Sequence, residues 1–443
     1  MNVHSFTGAT RKVSATVTMS ALLVGLLAFG VVGQVQAVSL SLLHCWGGVR
    51  APWVEEMVDA FVAEHPGVDV TIQVTGCGAE VHEAFLTAFV GGAPPDVVMV
   101  HSLYLPGFVL QNALVPLDGF IQEKNISQDL WYPPEIESAR WDGKTYGFPI
   151  RTGGDGNSLM FYNIDAFERV GLDAAAPPST WSELADVSRS LIRYEGDTLV
   201  QAAFTPWGGE YDYLAWLTAG GARLLSDDGR SVQLADTKAV EAANFIFDHF
   251  ASRYRGGLDE VRNLTGTSIQ ERNIAFTSGA LAIDMEGSWR IANIDSVDPD
   301  LRYGIALRPT REANGQPGIH TGTFHYALSD TPRDIETERA ALELLAWLTL
   351  RDDTAGHFVF RQGRPSPVRE FNHKPEYLEI NPYWHVVSEA LSRVADLPLF
   401  PYTIDLVTQI PWVAVIEGHV AAQSAFEDAA RLMQRSVDEY WNR

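Results

Sequence analysis

Basic side chains are scarce. The 443-residue chain carries 32 Lys and Arg against 56 Asp and Glu, a formal charge of −24. Nucleic-acid binding needs clustered Lys and Arg to neutralise phosphates, so no nucleic-acid partner is expected, and docking on anionic lipid is disfavoured for the same reason. The balance identifies no cationic ligand, because net charge mainly reports solubility and long-range steering. Cysteine is nearly absent, with only Cys45 and Cys77. Neither has a His or Cys at the spacing of a metal motif, so no metal centre is expected. The apolar run near the N-terminus, residues 19–32, is shorter than the roughly 20 residues a membrane-spanning helix needs. Catalytic motifs are missing as well. There is no G-x-S-x-G elbow and no H-E-x-x-H. Gly143-Lys144-Thr145 mimics the end of a phosphate loop, but Ser138 stands where the first glycine belongs. Gly76 and Gly78 lack the third glycine of a dinucleotide fingerprint. Asp and Glu are plentiful, yet nothing in their spacing selects a catalytic pair. No enzyme and no cofactor is expected.

What is present begins with a leader. Arg11-Lys12 is a basic segment, residues 19–32 are apolar, and Val35-Gln36-Ala37 has the form of a cleavage site. Residues 1–37 are therefore expected to be a cleaved signal peptide, with a membrane anchor as the alternative. A periplasmic location follows from the first reading. A lipoprotein would need a small residue before its cysteine, and His44 precedes Cys45. The remaining length suits two or more domains. A composition 46% hydrophobic and 20% charged is globular.

The first third reads as β-α-β-α-β. Strands are expected at residues 40–45, 68–74 and 96–100. Between the first two lies a helix with Val54, Met57, Val58, Phe61 and Val62 on one face. A second helix, residues 79–90, stops at Gly91-Gly92. Strands alternating with helices predict a parallel sheet with right-handed crossovers. Ligands bind beyond the carboxyl ends of such strands, which selects the loops 46–50, 76–80 and 101–104. If the first two strands are neighbours, Cys45 and Cys77 share an edge and are expected to form a disulfide, worth about 3 kcal/mol. Two free thiols are the alternative.

Residues 141–165 then carry the chain from one α/β unit toward another. Asp142-Gly143 is a two-residue hairpin signal, Pro149 punctuates, and residues 159–162 are a short apolar run. A second α/β pattern follows. Thr180-Trp181-Ser182-Glu183 is a capping box opening a helix with Leu184, Val187, Leu191 and Ile192. An aromatic loop spans residues 204–211, and a helix is expected at 238–254. Phe276-Thr277-Ser278-Gly279 turns into a buried strand, 280–285, ending at Glu286-Gly287-Ser288-Trp289. Strands are expected at 303–307 and 321–328, with Thr321-Gly322-Thr323-Phe324 as a second crossing, and helices at 339–350 and 426–441.

Twelve Trp are present, three of them, Trp46, Trp207 and Trp289, at turns or strand ends. Sugars have polar rims and apolar C–H faces, so flat aromatics beside a few polar groups suit them. Trp347 and Trp441 fall within helices and are expected to be packing residues.

Several segments, in this order, resemble the extracytoplasmic solute-binding proteins of ABC importers, in the family 1 group with the maltose- and oligosaccharide-binding receptors. They are Phe89-Val90-Gly91-Gly92-Ala93-Pro94-Pro95-Asp96-Val97, Tyr146-Gly147-Phe148-Pro149, Phe161-Tyr162-Asn163, Pro178-Ser179-Thr180-Trp181-Ser182-Glu183-Leu184, and Phe276-Thr277-Ser278-Gly279-Ala280-Leu281-Ala282 through Gly287-Ser288-Trp289. The resemblance implies an α/β periplasmic-binding-protein fold, with two lobes, each a mostly parallel sheet flanked by helices, joined by several hinge segments. The expected division is 38–149 with 325–380 for lobe 1, and 150–324 with 381–443 for lobe 2. It implies ligand contacts at Trp46, His101, Ser102, Tyr104, Trp207, Trp289 and Thr323. Arg50, Arg151 and Arg364 are candidate polar or anion contacts, with lobe-to-lobe salt bridges as the alternative. The expected function is a monomeric receptor that closes on a carbohydrate-type small molecule and delivers it to ABC permease subunits. The alternatives are a receptor for a phosphorylated or acidic polyol such as a glycerophosphodiester, an exported carboxylate-pair glycoside hydrolase, and a sensor subunit for a membrane kinase.

Overall fold

The computed structural model describes residues 10–13, 37–205, 210–226, 228–320, 322–394 and 410–442. Most of the leader, the Trp207 turn and Thr321 therefore lie outside the described residues.

Two apolar cores form. The first surrounds a six-stranded sheet in the order Thr10–Val13, Val68–Val74, Val38–His44, Val97–His101, Phe324–Leu328, Phe148–Pro149. Val38–His44 runs parallel to both its neighbours, as β-α-β alternation predicts. All five residues of Val97–His101 are buried, because helices cover both faces and polar alternation would have no use there. The Ala51–Glu64 helix buries Val54, Met57, Val58, Phe61 and Val62, the face expected from their spacing. The Ile335–Leu350 helix joins it, with the buried Trp347 indole donating to Met57 O at 2.9 Å. Phe324–Leu328 enters antiparallel, between Val97–His101 and Phe148–Pro149, so the chain does return to the first sheet at this point. Thr10–Val13, inside the segment read as a leader, pairs antiparallel along the outer edge.

The expected details of the crossing are found. Asp142 (φ 48°) and Gly143 (φ 74°) occupy the left-handed region and turn Arg140–Trp141 back onto Lys144–Thr145, the primed geometry that matches strand twist. Cys45 and Cys77 are bonded, with Cα atoms 4.7 Å apart. The bridge joins the loops that follow Val38–His44 and Val68–Val74.

The second core surrounds Leu159–Asn163, a central strand buried along its length. The expectation of a mostly parallel sheet fails in both cores: in the first sheet Thr10–Val13 and Phe324–Leu328 make three antiparallel pairings against the two parallel ones of Val38–His44. In the second, Ile283–Glu286 and Tyr303–Leu307 both pair with Leu159–Asn163 antiparallel. Among the described residues, parallel pairing in this core persists as single bridges, Ala202 to Leu281 and Thr180 to Thr310. Strand–helix alternation shows that the chain leaves and returns, but not from which end it returns. The Thr180–Glu183 capping box forms as expected and starts the Trp181–Leu191 helix. The final helix, Ala422–Trp441, starts four residues earlier than its apolar spacing suggested. It buries Phe426, Met433 and Val437 in the second core.

Candidate functional site

Between the two cores the chain passes through a buried polar knot. Three stretches meet there: residues 150–158, the described residues 319, 320, 322 and 323, and residues 364–366. Asp155 is fully buried and accepts from Thr152 Oγ1 and Ser288 Oγ. Arg364 Nε lies 3.6 Å from the same carboxylate. Glu135 accepts the Gly153 N–H on both oxygens at 3.0 Å, and His320 Nε2 lies 3.1 Å from its Oε1. Thr152 Oγ1 also reaches Pro365 O at 3.4 Å, and Thr323 Oγ1 donates to Arg151 O. Buried carboxylates are tolerable only when satisfied in this way. The packing leaves no room for side chains at two glycines. A Cβ on Gly153 would stand 2.5 Å from Gly322 O, and one on Gly322, whose φ is +74°, would stand 1.8 Å from Ser102 Oγ.

Three of the residues singled out from sequence, Arg151, Thr323 and Arg364, belong to this knot. His101 and Ser102 adjoin it. Arg151 donates to Thr152 O at 2.7 Å and lies over the Phe324 ring, 5.0 Å from its centroid. The His101 ring meets Phe324 edge-on at 5.0 Å. Ser102 N donates to Thr323 O at 2.9 Å, while its buried Oγ has no hydrogen-bond partner among the described residues.

The loops at the strand ends have sharper identities. Trp46 is buried against Phe324 and Phe358, with ring centroids 5.5 and 5.6 Å apart, so it belongs to the first core. Tyr104 is half-buried and stacks on His82, with ring centroids 3.7 Å apart and the planes nearly parallel. His82 is fixed because its Nε2 accepts the His101 N–H at 3.0 Å and its Nδ1 faces Gly78 O at 3.1 Å. Burial pushes the His82 imidazole down to about 3. Burial, aided by the Arg151 charge, also holds His101 well below the ordinary range. Both rings are neutral hydrogen-bonding groups at neutral pH.

Arg50 spans the two cores. Its Nε donates to Gln362 Oε1 at 2.9 Å, and its Nη2 donates to Trp289 O at 3.3 Å and Asn293 Oδ1 at 3.2 Å. Burial, and then the nearby Arg364 charge, lower its pKa to about 10, so it stays cationic. Trp289 is half-buried and precedes the Arg290–Val297 helix. Trp207 lies outside the described residues.

A further cluster was not singled out from the sequence. Behind Trp289, six ionisable side chains are buried together. Asp284 receives Arg272 Nη1 at 2.8 Å and Arg290 Nη2 on its other oxygen. Arg272 also reaches Glu286, and Arg308 pairs with Asp212 at 2.9 Å. Burial raises the Asp212 and Glu286 carboxyls, against the pull of Arg308 and Arg272 respectively. The available signal was Asp284 and Glu286 punctuating an otherwise apolar strand.

Among the described residues, no group of three or more His, Cys, Asp or Glu could hold a metal ion, and no helix is long and apolar enough to cross a membrane.

The chain and its fold are matched in known proteins. Residues 47–355 match the family described as bacterial extracellular solute-binding protein. A binding protein of Brucella abortus (strain 2308) is 26% identical over 355 residues, covering 79% of this chain and 80% of that one. The sn-glycerol-3-phosphate-binding periplasmic protein UgpB of Rhizobium meliloti (strain 1021) is 24% identical over 309 residues, covering 65% and 66%. Among solved structures, maltose-bound MalE3 of T. maritima superposes with a TM-score of 0.76 at 19% identity, covering 90% of this chain and 99% of that one. UgpB of Mycobacterium tuberculosis in complex with glycerophosphocholine gives 0.75 at 18% identity, covering 90% and 98%. At these identities the superpositions show a shared fold.

Proposed function

The chain belongs to the bacterial extracellular solute-binding protein family, and from that premise we propose that it captures a carbohydrate-type solute between its lobes and delivers it to an ABC permease. It is a binding protein and not an enzyme. Binding energy shifts a balance between open and closed lobes, and the permease reads the closed form. The observation that carries the carbohydrate reading is Trp289. It is half-exposed at the end of a lobe-two strand, and its backbone is tied to Arg50 of the opposite lobe. A flat aromatic beside hydrogen-bonding groups suits the apolar face and polar rim of a sugar. The two separate cores support the division into 38–149 with 325–380 and 150–324 with 381–443. Residues 1–37 as a cleaved leader, a periplasmic site of action and a monomeric state complete the proposal.

The test is a thermal-shift panel of mono-, oligo- and phospho-sugars, amino acids and polyamines. A ligand at a hundredfold excess over its Kd adds about 2.7 kcal/mol of stability. Stabilisation by amino acids or polyamines alone would overturn the carbohydrate reading.

One observation favours a second reading, an acidic polyol. Arg151 and Arg364 both belong to the buried knot between the cores, while the carboxylates of Asp155 and Glu135 are already engaged. Arg364 is only 2% exposed, and its Nη2 has no hydrogen-bond partner among the described residues. A phosphate or carboxylate on the solute would supply the missing acceptor. Preferential stabilisation by sn-glycerol 3-phosphate or glycerophosphocholine over neutral sugars is the expected signature.

A further inference from the structure

Arg50 stands apart from the other cleft arginines in what it touches. It precedes the Ala51–Glu64 helix of the first core, and its Nε donates to Gln362 at 2.9 Å. Gln362 is itself oriented, because its Nε2 donates to Phe358 O at 3.0 Å and leaves Oε1 as the acceptor. Phe358 belongs to the first core. The other end of the guanidinium crosses to the second core. Nη2 meets Trp289 O at 3.3 Å and Asn293 Oδ1 at 3.2 Å, on the helix whose Ile291 and Ile294 are buried in that core. Gly363, beside Gln362, closes the same seam. A Cβ there would lie 3.2 Å from Ile291.

We propose that Arg50 is the closure latch: a positioning residue that ties lobe one to the backbone of Trp289 and sets the balance of open and closed lobes without touching solute. Its acceptors are neutral and fixed, and its charge makes the bonds stronger than neutral ones. Opening moves the two cores apart and breaks the Trp289 and Asn293 bonds while leaving the Gln362 bond intact. Closure therefore gains two charge-assisted hydrogen bonds and fixes the carbonyl of the candidate aromatic platform. The inference rests on the two-lobed fold and holds whatever the solute is.

The experiment is small-angle X-ray scattering of the full chain without solute. Arg50→Ala is expected to move the open-to-closed ratio about tenfold toward open (about 1.4 kcal/mol), seen as a larger radius of gyration. Arg50→Lys, which keeps a charged donor, recovers part of that shift. Asn293→Ala removes one acceptor from the opposite lobe and shifts the ratio less, and it adds nothing in the Arg50→Ala background, because the two act through one contact. If Arg50→Ala scatters as the parent does, the latch is wrong. It is equally wrong if Asn293→Ala has no effect alone, or keeps its full effect in the Arg50→Ala background.

Discussion

Asp284→Asn tests whether the buried charges of lobe two hold that lobe together. Asp284 is fully buried between Arg272 Nη1 at 2.8 Å and Arg290 Nη2. Asparagine keeps the shape but loses the charge, and its amide NH2 must then face a guanidinium. Breaking a buried ion pair from one side costs about 3–5 kcal/mol, because the partner stays buried and uncompensated. Arg272 retains Glu286, so the lower end, about 3 kcal/mol, is expected. For a lobe of this size that lowers Tm by about 6–12 °C, at about 2–4 °C per kcal/mol. Differential scanning calorimetry separates the two cores: the second-lobe transition should fall and the first should stay. A fall of less than about 2 °C would refute the reasoning, since the six charges would then contribute little to the lobe. Solute affinity should fall with stability, because Ile283–Glu286 runs directly into Trp289.

Other outcomes follow from the same geometry. Gly322→Ala places a Cβ against Ser102 Oγ at a positive φ, so it should destabilise by more than about 1 kcal/mol in urea unfolding; a neutral result contradicts the packing at the second crossing. Burial holds His44, His82, His249 and His325 near pKa 3, below their ordinary 6.5. The unfolded chain then binds the extra protons, so this stability is full above pH 6.5 and is lost as pH falls toward 3, by up to about 1.4 kcal/mol per pH unit for each ring. His249→Phe should flatten the fall measured between pH 7 and pH 5; an unchanged slope removes His249 from the account. Cys77→Ser should cost about 3 kcal/mol, through the freed loop, and reduction of the parent should match it. A stability equal to the oxidised parent contradicts that.

Much of the architecture was legible because it is local. The face of Val54, Met57, Val58, Phe61 and Val62, the Asp142-Gly143 turn and the Thr180–Glu183 box each depend on residues within a few positions of one another. The Cys45–Cys77 bridge followed from placing two adjacent parallel strands. Strand sense in lobe two was not legible, because the residues that fix it, Leu159–Asn163 against Ile283–Glu286, lie more than a hundred positions apart. The polar contacts between the two cores hid for the same reason. Arg50 meets Trp289 and Asn293, and Asp155 meets Ser288 and Arg364, across separations that no spacing rule reaches. Trp46 is a further case: its position at a strand end suggested contact with solute, and its packing against the returning Phe324 strand and Phe358 was not visible in the sequence.

Calorimetric titration of the purified chain tests the central claim most directly. The probes are maltose, mannotriose, sn-glycerol 3-phosphate, glycerophosphocholine, an amino-acid mixture and spermidine, each against the parent and Trp289→Ala. The account predicts saturable one-to-one binding of a sugar or phosphorylated polyol, weakened about thirtyfold by Trp289→Ala, a loss of about 2 kcal/mol. Binding of amino acids or spermidine with no heat from any sugar or polyol would contradict it.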